Sequence, residues 1–206
     1  MRSLHTEPPA DIGVRDGLSY AVFLPADTPI AGVVVLHGAG SQKENHYDFA
    51  RECRAAGLAA VVFDQRGHGA SEGALDGRAI EDVAAIAAEL PEGVPVALRG
   101  SSMGGWLALA AGAALGAAAV VAICPASSEQ LARGLRDGRF AFRADDATLG
   151  ALLESTDLPA AATLLGDRLL LMHAEGDEDV PVGHSRALHA AAPDSRIEVV
   201  PGGDHR

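Results

Sequence analysis

Lysine is almost missing from this chain of 206 residues: Lys43 is the one lysine among sixteen lysines and arginines. Acidic residues outnumber these cations at 28, and the formal net charge is −12. Nucleic acid and anionic membrane surfaces both call for clustered cations, so neither is expected as a partner. Aromatic residues are also scarce, at 4%. The two cysteines, Cys53 and Cys124, lie in apolar segments with no C-x-x-C spacing. That argues against a zinc or redox motif and leaves two reduced, buried thiols. No apolar run has the length and flanks of a membrane span. The stretch 107–123 comes nearest, and Gly112 and Gly116 interrupt it. The segment from Met1 to Asp16 carries prolines and charges and lacks the apolar core of a signal peptide. A cytoplasmic protein is the resulting expectation.

With 48% hydrophobic and 21% charged residues, the chain has the composition of a globular protein. Its length suits a single domain over 1–206. Short apolar runs read as strands at Gly32–Leu36, Leu58–Phe63, Val94–Leu98, Ala118–Cys124, Arg168–Met172 and Arg196–Val200. Most are continuously apolar, as in parallel sheets covered on both faces. Between them, helical spacing marks Glu44–Ala56, Arg78–Leu90, Met103–Ala114 and Val182–Ala192. Ser19–Leu24 alternates and suits an antiparallel edge hairpin with the segment around Ile12–Val14. Strand alternating with helix predicts an α/β fold with right-handed crossovers. The stretch 127–166 breaks this rhythm. About forty residues between two strands far exceed a usual loop, so a lid insertion with weak helices at Glu129–Arg136 and Asp145–Leu153 is expected.

Gly100-Ser101-Ser102-Met103-Gly104 fits Gly-x-Ser-x-Gly. The pattern alone is weak, but here it follows a strand and opens a helix, the setting a nucleophile elbow requires. Small residues are needed where such a turn crowds the helix, and Gly100, Gly104 and Gly105 supply them. His37-Gly38-Ala39-Gly40 follows the strand Gly32–Leu36. Backbone N–H groups of Ala39 and Met103 are therefore candidates for an oxyanion hole. A serine nucleophile needs a histidine to take its proton and an acid to orient that histidine. In this topology the order is serine, acid, histidine. The strand Arg168–Met172 runs into His173-Ala174-Glu175-Gly176-Asp177-Glu178-Asp179-Val180-Pro181, and the strand Arg196–Val200 into Pro201-Gly202-Gly203-Asp204-His205. His184 and His189 fall on a helix and read as solvated or locally satisfied.

These motifs, with Asp64-Gln65-Arg66-Gly67-His68-Gly69-Ala70-Ser71, resemble the α/β-hydrolase-fold serine hydrolases of the esterase and dienelactone-hydrolase-like superfamily. The likeness runs from about Val14 to His205. It implies a mostly parallel central sheet with helices on both faces and a short helical lid. It implies Ser102 as nucleophile, His205 as base and Asp177 as acid, with Asp179 second choice and Glu175 third. The Asp64 turn corresponds to the family's D-x-R-G-x-G-x-S loop, in which Asp64 and Arg66 brace the loop. The resemblance implies cleavage of a carboxylic ester of a small acyl substrate, with no cofactor and no metal. Thioester, lactone or amide hydrolysis uses the same parts. A non-catalytic binding protein with this fold is the rival from another class.

The chain stops at Arg206, one residue after His205, where the family continues with a helix. The expectation is an inactive truncated chain, poor hydrolysis, or a homo-oligomer formed through the uncovered C-terminal face. Arg133, Arg136, Arg139 and Arg143 read as a solvated face balanced by Asp137, Asp145 and Asp146. Phe140 and Phe142 suit either an acyl pocket or packing within the lid, and Trp106 suits the core.

Overall fold

The computed structural model describes residues 7–205; Met1 to Thr6, at the head of the prolines and charges read above, and Arg206 lie outside them. Eight strands among the described residues form one sheet: β1 (Asp11–Arg15), β2 (Leu18–Phe23), β3 (Gly32–Leu36), β4 (Ala59–Phe63), β5 (Val96–Ser101), β6 (Ala119–Ile123), β7 (Leu169–Ala174) and β8 (Arg196–Val200). Their order is β1-β2-β4-β3-β5-β6-β7-β8. The pairs β1–β2 and β2–β4 are antiparallel and every other pair is parallel. This is the expected α/β-hydrolase architecture. Among the described residues, seven α-helices accompany the sheet: α1 (Tyr47–Ala55), α2 (Ala79–Ala87), α3 (Met103–Leu115), α4 (Ser128–Arg136), α5 (Asp146–Ser155), α6 (Leu158–Leu165) and α7 (Gly183–Ala191). No helix among the described residues is long and apolar enough to cross a membrane.

Alternation along the central strands splits the core in two. Val34 and Leu36 of β3 join the larger cluster with α2 and α3, whereas Val33 and Val35 join a smaller one with Ala50 and Cys53 of α1. Both faces are covered, which is why β3 and β4 are buried throughout. The alternating β2 is buried throughout as well. It lies between β1 and β4, and its small Ser19 donates its N–H to Ser71 Oγ at 2.8 Å. So the polar positions of β2 do not mark a solvent face; the exposed edge is β1.

Further differences from the sequence reading follow from pairing and capping. β5 continues through Ser101, because Leu36 pairs Gly100 and Ile123 pairs Ser101 in the parallel ladder. β7 likewise runs on to Ala174, where Val200 of β8 is its partner. The helix expected from Glu44 divides into a 3-10 turn at Lys43–His46 and α1. The stretch 127–166 holds three helices rather than two. α6 is started by Asp157, which accepts from Ala160 N at 2.9 Å, with Pro159 in its first turn. At the other edge, Ile197 and Val199 of β8 are half-buried and Val200 is exposed.

Two buried polar ties hold the loops after β3 and β4 together at the carboxyl edge of the sheet. Asp64 is fully buried and accepts from Lys43 N at 2.7 Å, Lys43 Nζ at 2.8 Å and Ala70 N at 2.9 Å. Burial opposes its charge, yet these bonds outweigh burial and hold its carboxyl below the ordinary value. His37 is equally buried. Its Nδ1–H donates to Gly38 O at 2.8 Å and its Nε2 accepts from Gln65 N at 3.0 Å. Below the Asp64 turn, Arg66 forks onto Asp82 at 2.8 and 2.9 Å. Asp64 and Arg66 therefore brace this loop.

Replacing Lys43 with methionine leaves the Asp64 carboxylate buried without its cation. We expect a loss of about 3 kcal/mol in urea unfolding; a loss below about 1 kcal/mol would show that the backbone donors alone suffice. Burial also pushes the His37 imidazole down to about 4. The unfolded ring binds its proton near pH 6.5. The unfolded state therefore holds more protons in this window, and stability falls as pH drops from about 6.5 to about 4, by roughly 3 kcal/mol in total from this ring. NMR titration should find the His37 ring neutral at pH 5; a midpoint near 6.5 contradicts the burial argument.

Candidate active site

β5 delivers the chain to Ser102 at φ 55°, ψ −120°, a conformation that non-glycine residues rarely adopt. Several hydrogen bonds hold it. Ser102 N donates to Ile123 O at 2.9 Å, and Ser102 O accepts from Gly105 N, Trp106 N and Ala126 N at 2.9, 3.0 and 3.1 Å. The surrounding glycines are steric necessities. A Cβ on Gly100 would overlap the backbone of Gly104, and one on Gly104 would overlap the carbonyls of Leu36 and His37. On Gly105 it would stand 3.0 Å from Pro125 Cα. Without these side chains, the first turn of α3 settles directly onto the end of β3.

The loop after β7 carries Asp177, and the loop after β8 carries His205. They are tied by Glu175 N to Val200 O at 2.9 Å and Gly176 N to Gly203 O at 3.0 Å. Asp177 Oδ1 accepts from Asp179 N at 3.0 Å and Val180 N at 2.7 Å. His205 Nδ1 lies 2.6 Å from Asp177 Oδ2, and His205 Nε2 lies 2.9 Å from Ser102 Oγ. Burial would raise the Asp177 carboxyl, but hydrogen bonds from Val180 N–H, His205 and Cys124 overcome it and keep the carboxyl below its ordinary value. An ionised carboxylate only accepts, so His205 carries its proton on Nδ1 and turns the Nε2 lone pair to the serine hydroxyl.

The structure thus brings together Ser102, His205 and Asp177. It leaves the other carboxylates apart. Asp179 is exposed, and its carbonyl accepts from Gln130 Nε2 at 3.3 Å. Glu175 faces Arg186 at 3.9 Å. Gly38 passes close to the serine: a Cβ there would lie 3.4 Å from Ser102 Cβ. That places the following residue, Ala39, on the cleft wall with Ser102 and His205. Met103 is the first residue of α3, so its N–H has no acceptor within the helix and sits at the positive end of the helix dipole.

Two further side chains lie beside the acid. Cys124, at the end of β6, donates its S–H to Asp177, and burial pushes its thiol up to about 11. His173 is buried beneath the acid: its Nε2–H donates to Val180 O at 2.8 Å and its Nδ1 accepts from Ser185 Oγ at 2.7 Å. Cys124, His173 and Asp177 form the one trio among the described residues with metal-ligand spacing. Its histidine and carboxylate lone pairs are already engaged in these hydrogen bonds, and its thiol stays protonated, so the trio does not fit a metal. The helix histidines also differ from expectation in part. His189 Nδ1 meets Ser195 Oγ at 2.9 Å, but His184 is half-buried: burial lowers its pKa, and its Nε2 has no partner among the described residues.

A cleft of about 550 Å³ opens over Ser102 and His205, with Ala39, Phe140, Arg133 and Arg139 on its walls. The arginine run is therefore not simply a solvated face. Arg139 pairs with Asp137 at 3.2 Å as expected, but Arg133 pairs with Glu129 at 2.6 Å, and Asp145 instead caps α5 by accepting from Thr148 N at 3.0 Å. Trp106 is core, with its Nε1–H given to Ser128 Oγ at 2.8 Å.

Comparison with known proteins agrees with this architecture. The crystal structure of a monoacylglycerol lipase from Paleococcus ferrophilus superposes with a TM-score of 0.74 at 21% identity, covering 92% of this chain and 90% of that one. Est1E from Butyrivibrio proteoclasticus, bound to ferulic acid, gives 0.71 at 18% identity, with 95% and 91% covered. Mouse alpha/beta hydrolase domain-containing protein 10 gives 0.68 at 25% identity, with 95% and 90% covered. A curated relative, an uncharacterized abhydrolase domain-containing protein of Dictyostelium discoideum, is 33% identical over 101 residues. That alignment takes in 46% of this chain, which spans only 11% of the relative's length. The family model described as serine aminopeptidase, S33, matches residues 27–138, a segment that holds the His37 turn, the Asp64 turn and the Ser102 elbow. The match covers more than half of the chain, which therefore belongs to this Hydrolase_4 family of α/β hydrolases.

Proposed function

We propose that the chain is a cofactor-independent serine hydrolase that cleaves a carboxylic ester through an acyl-enzyme. The observation that carries this reading is the single imidazole of His205 spanning Ser102 Oγ and Asp177 Oδ2. Ser102 Oγ attacks the carbonyl carbon as its proton passes to His205 Nε2. Asp177 holds the ring in the Nδ1–H tautomer and stabilises the imidazolium. The N–H groups of Ala39 and Met103 take the oxyanion of the tetrahedral intermediate. His205 then returns the proton to the leaving alcohol, and water repeats the sequence on the acyl-enzyme. Within the insertion 127–166, α4 and the connection after it serve as a lid over this cleft, while α6 packs on α3 and α7; the substrate is a small-molecule acyl compound. Solved relatives described as a monoacylglycerol lipase and as carboxylesterases favour an ester. Thioester, lactone and amide bonds are open to the same machinery.

Ser102→Ala should lower kcat on p-nitrophenyl butyrate by about 10⁴–10⁶ and leave the circular dichroism spectrum unchanged. Turnover near the wild-type value would refute Ser102 as nucleophile. Asp177→Asn should cost about 10⁴ in kcat, since an amide can favour the wrong histidine tautomer. Asp179→Asn should stay within about threefold of wild type, its carboxylate being outside the hydrogen-bonded set. The reverse ranking of these two variants would move the acid to Asp179.

A further inference from the structure

We infer that Arg133 and Arg139, on the wall of the cleft over Ser102, select an ester that carries a carboxylate at the far end of its acyl or its alcohol half. The inference rests on the serine-hydrolase reading above and names the substrate class of that same site.

The sequence places both arginines through the way α4 ends. Leu131 and Gly134 of this helix are buried, while Arg133 and Arg136 are exposed. Just past the helix, Gly138 takes φ 62°. A left-handed residue at that position turns the chain back along the helix it has left. Gly138 N donates to Leu135 O at 3.0 Å, and Arg139 N donates to Gly134 O at 2.9 Å. The returning chain lays the Phe140 ring on Gly134, where a Cβ would come within 2.5 Å of it. Arg133 from the helix and Arg139 from the returning chain thus border the same cleft as Ser102 and His205.

Charge on this wall runs against that of the whole protein. The chain carries a formal charge of −12, which repels an anion at a distance. Beside the nucleophile, two guanidinium groups face one carboxylate, that of Asp179, among the described residues that line the cleft. Glu129 and Asp137, the ion-pair partners of Arg133 and Arg139, lie outside the lining. Both pairs are solvent-exposed, and each engages a single nitrogen, Nη2, at 2.6 Å for Arg133 and 3.2 Å for Arg139. Exposed pairs of this kind are weak. A guanidinium offers five N–H donors in a planar fork that matches a carboxylate, so each arginine keeps donors for a substrate. Leu131 and Phe140 add apolar wall to the same space. That suits the methylene groups linking a distal carboxylate to the scissile ester, and a cleft of about 550 Å³ has room for them.

The test uses two matched pairs of esters in low-salt buffer. Mono-p-nitrophenyl adipate and p-nitrophenyl 6-methylheptanoate differ by a carboxylate in place of an isopropyl group at the end of the acyl half. The compounds 4-(2-carboxyethyl)phenyl butyrate and 4-(3-methylbutyl)phenyl butyrate differ in the same way in the alcohol half. We expect wild-type kcat/KM to favour the carboxylate member of one pair by about tenfold, and that pair identifies the half that bears the charge. The preference should shrink in about 0.5 M NaCl, which screens exposed charges. In the double variant Arg133→Gln, Arg139→Gln the ratio should fall about tenfold; a general loss of folding or of catalysis slows both members alike and leaves the ratio in place. Arg136→Gln removes the same charge from the exposed flank of α4, outside the cleft lining, and should leave the ratio unchanged. An equal fall there would assign the effect to diffuse charge and overturn the role of the cleft arginines, as would a preference that survives in the double variant. Cleavage of all four esters with wild-type ratios at or below one overturns the inference and leaves the hydrolase reading standing. Failure to cleave any of the four overturns the serine-hydrolase reading and this inference with it.

Discussion

The close approach of α3 to the end of β3 is the constraint on which the rest of the site depends. Only hydrogen atoms fit at Gly100 and Gly104, and the chain between them has to turn so sharply that Ser102 takes a positive φ. Strain of this kind persists only where the surroundings over-determine it. Here they do: four backbone hydrogen bonds fix Ser102, and the apolar length of α3 is buried between sheet and neighbouring helices. The same crowding brings Gly38, Ala39 and the first N–H of α3 to one side of the serine. Nucleophile and oxyanion donors are thus placed by one packing event, through rigid elements.

Charge is placed by a second set of ties, between loops. Lys43 with Asp64, and His37 with Gln65, join the ends of β3 and β4. The backbone bonds from Glu175 and Gly176 join the ends of β7 and β8. Asp177 spends one oxygen on two backbone N–H groups and offers the other to His205, with Cys124 S–H as an additional donor. Such bonds keep a carboxylate ionised despite burial. The carboxylate then sets the histidine tautomer, and the histidine in turn faces the serine. Gln65 ties the His37 turn twice, with its backbone N–H to His37 Nε2 and its amide N–H to His37 O.

Much of this was legible in sequence because it rests on short-range steric rules. A continuously apolar run means a strand covered on both faces, and Gly-x-Ser-x-Gly between strand and helix has few other uses. β3 and β8 appear with the boundaries read from sequence. What escaped was decided by long-range partners. β2 alternates like a half-exposed strand but is buried, because Ser19 pairs with Ser71, 52 residues away. α6 went unread although Asp157 and Pro159 mark its start, since a run of alanine and leucine has no clear face. Cys124 reads from sequence as a buried thiol and His173 has no role of its own there, and the fold shows that both lie beside the acid. Arg133 and Arg139 looked like solvated charges, and their place on the cleft wall depends on how α4 docks over Ser102.

The central claim is that Ser102 is an activated nucleophile, its hydroxyl hydrogen-bonded to His205. A fluorophosphonate reacts with such a serine and ignores ordinary surface hydroxyls. Incubation of the chain with this probe, followed by proteolysis and mass spectrometry, should place one phosphonyl group on Ser102, and His205→Ala should abolish the adduct. An adduct on another residue, or an unlabelled protein that is fully folded, would contradict the account.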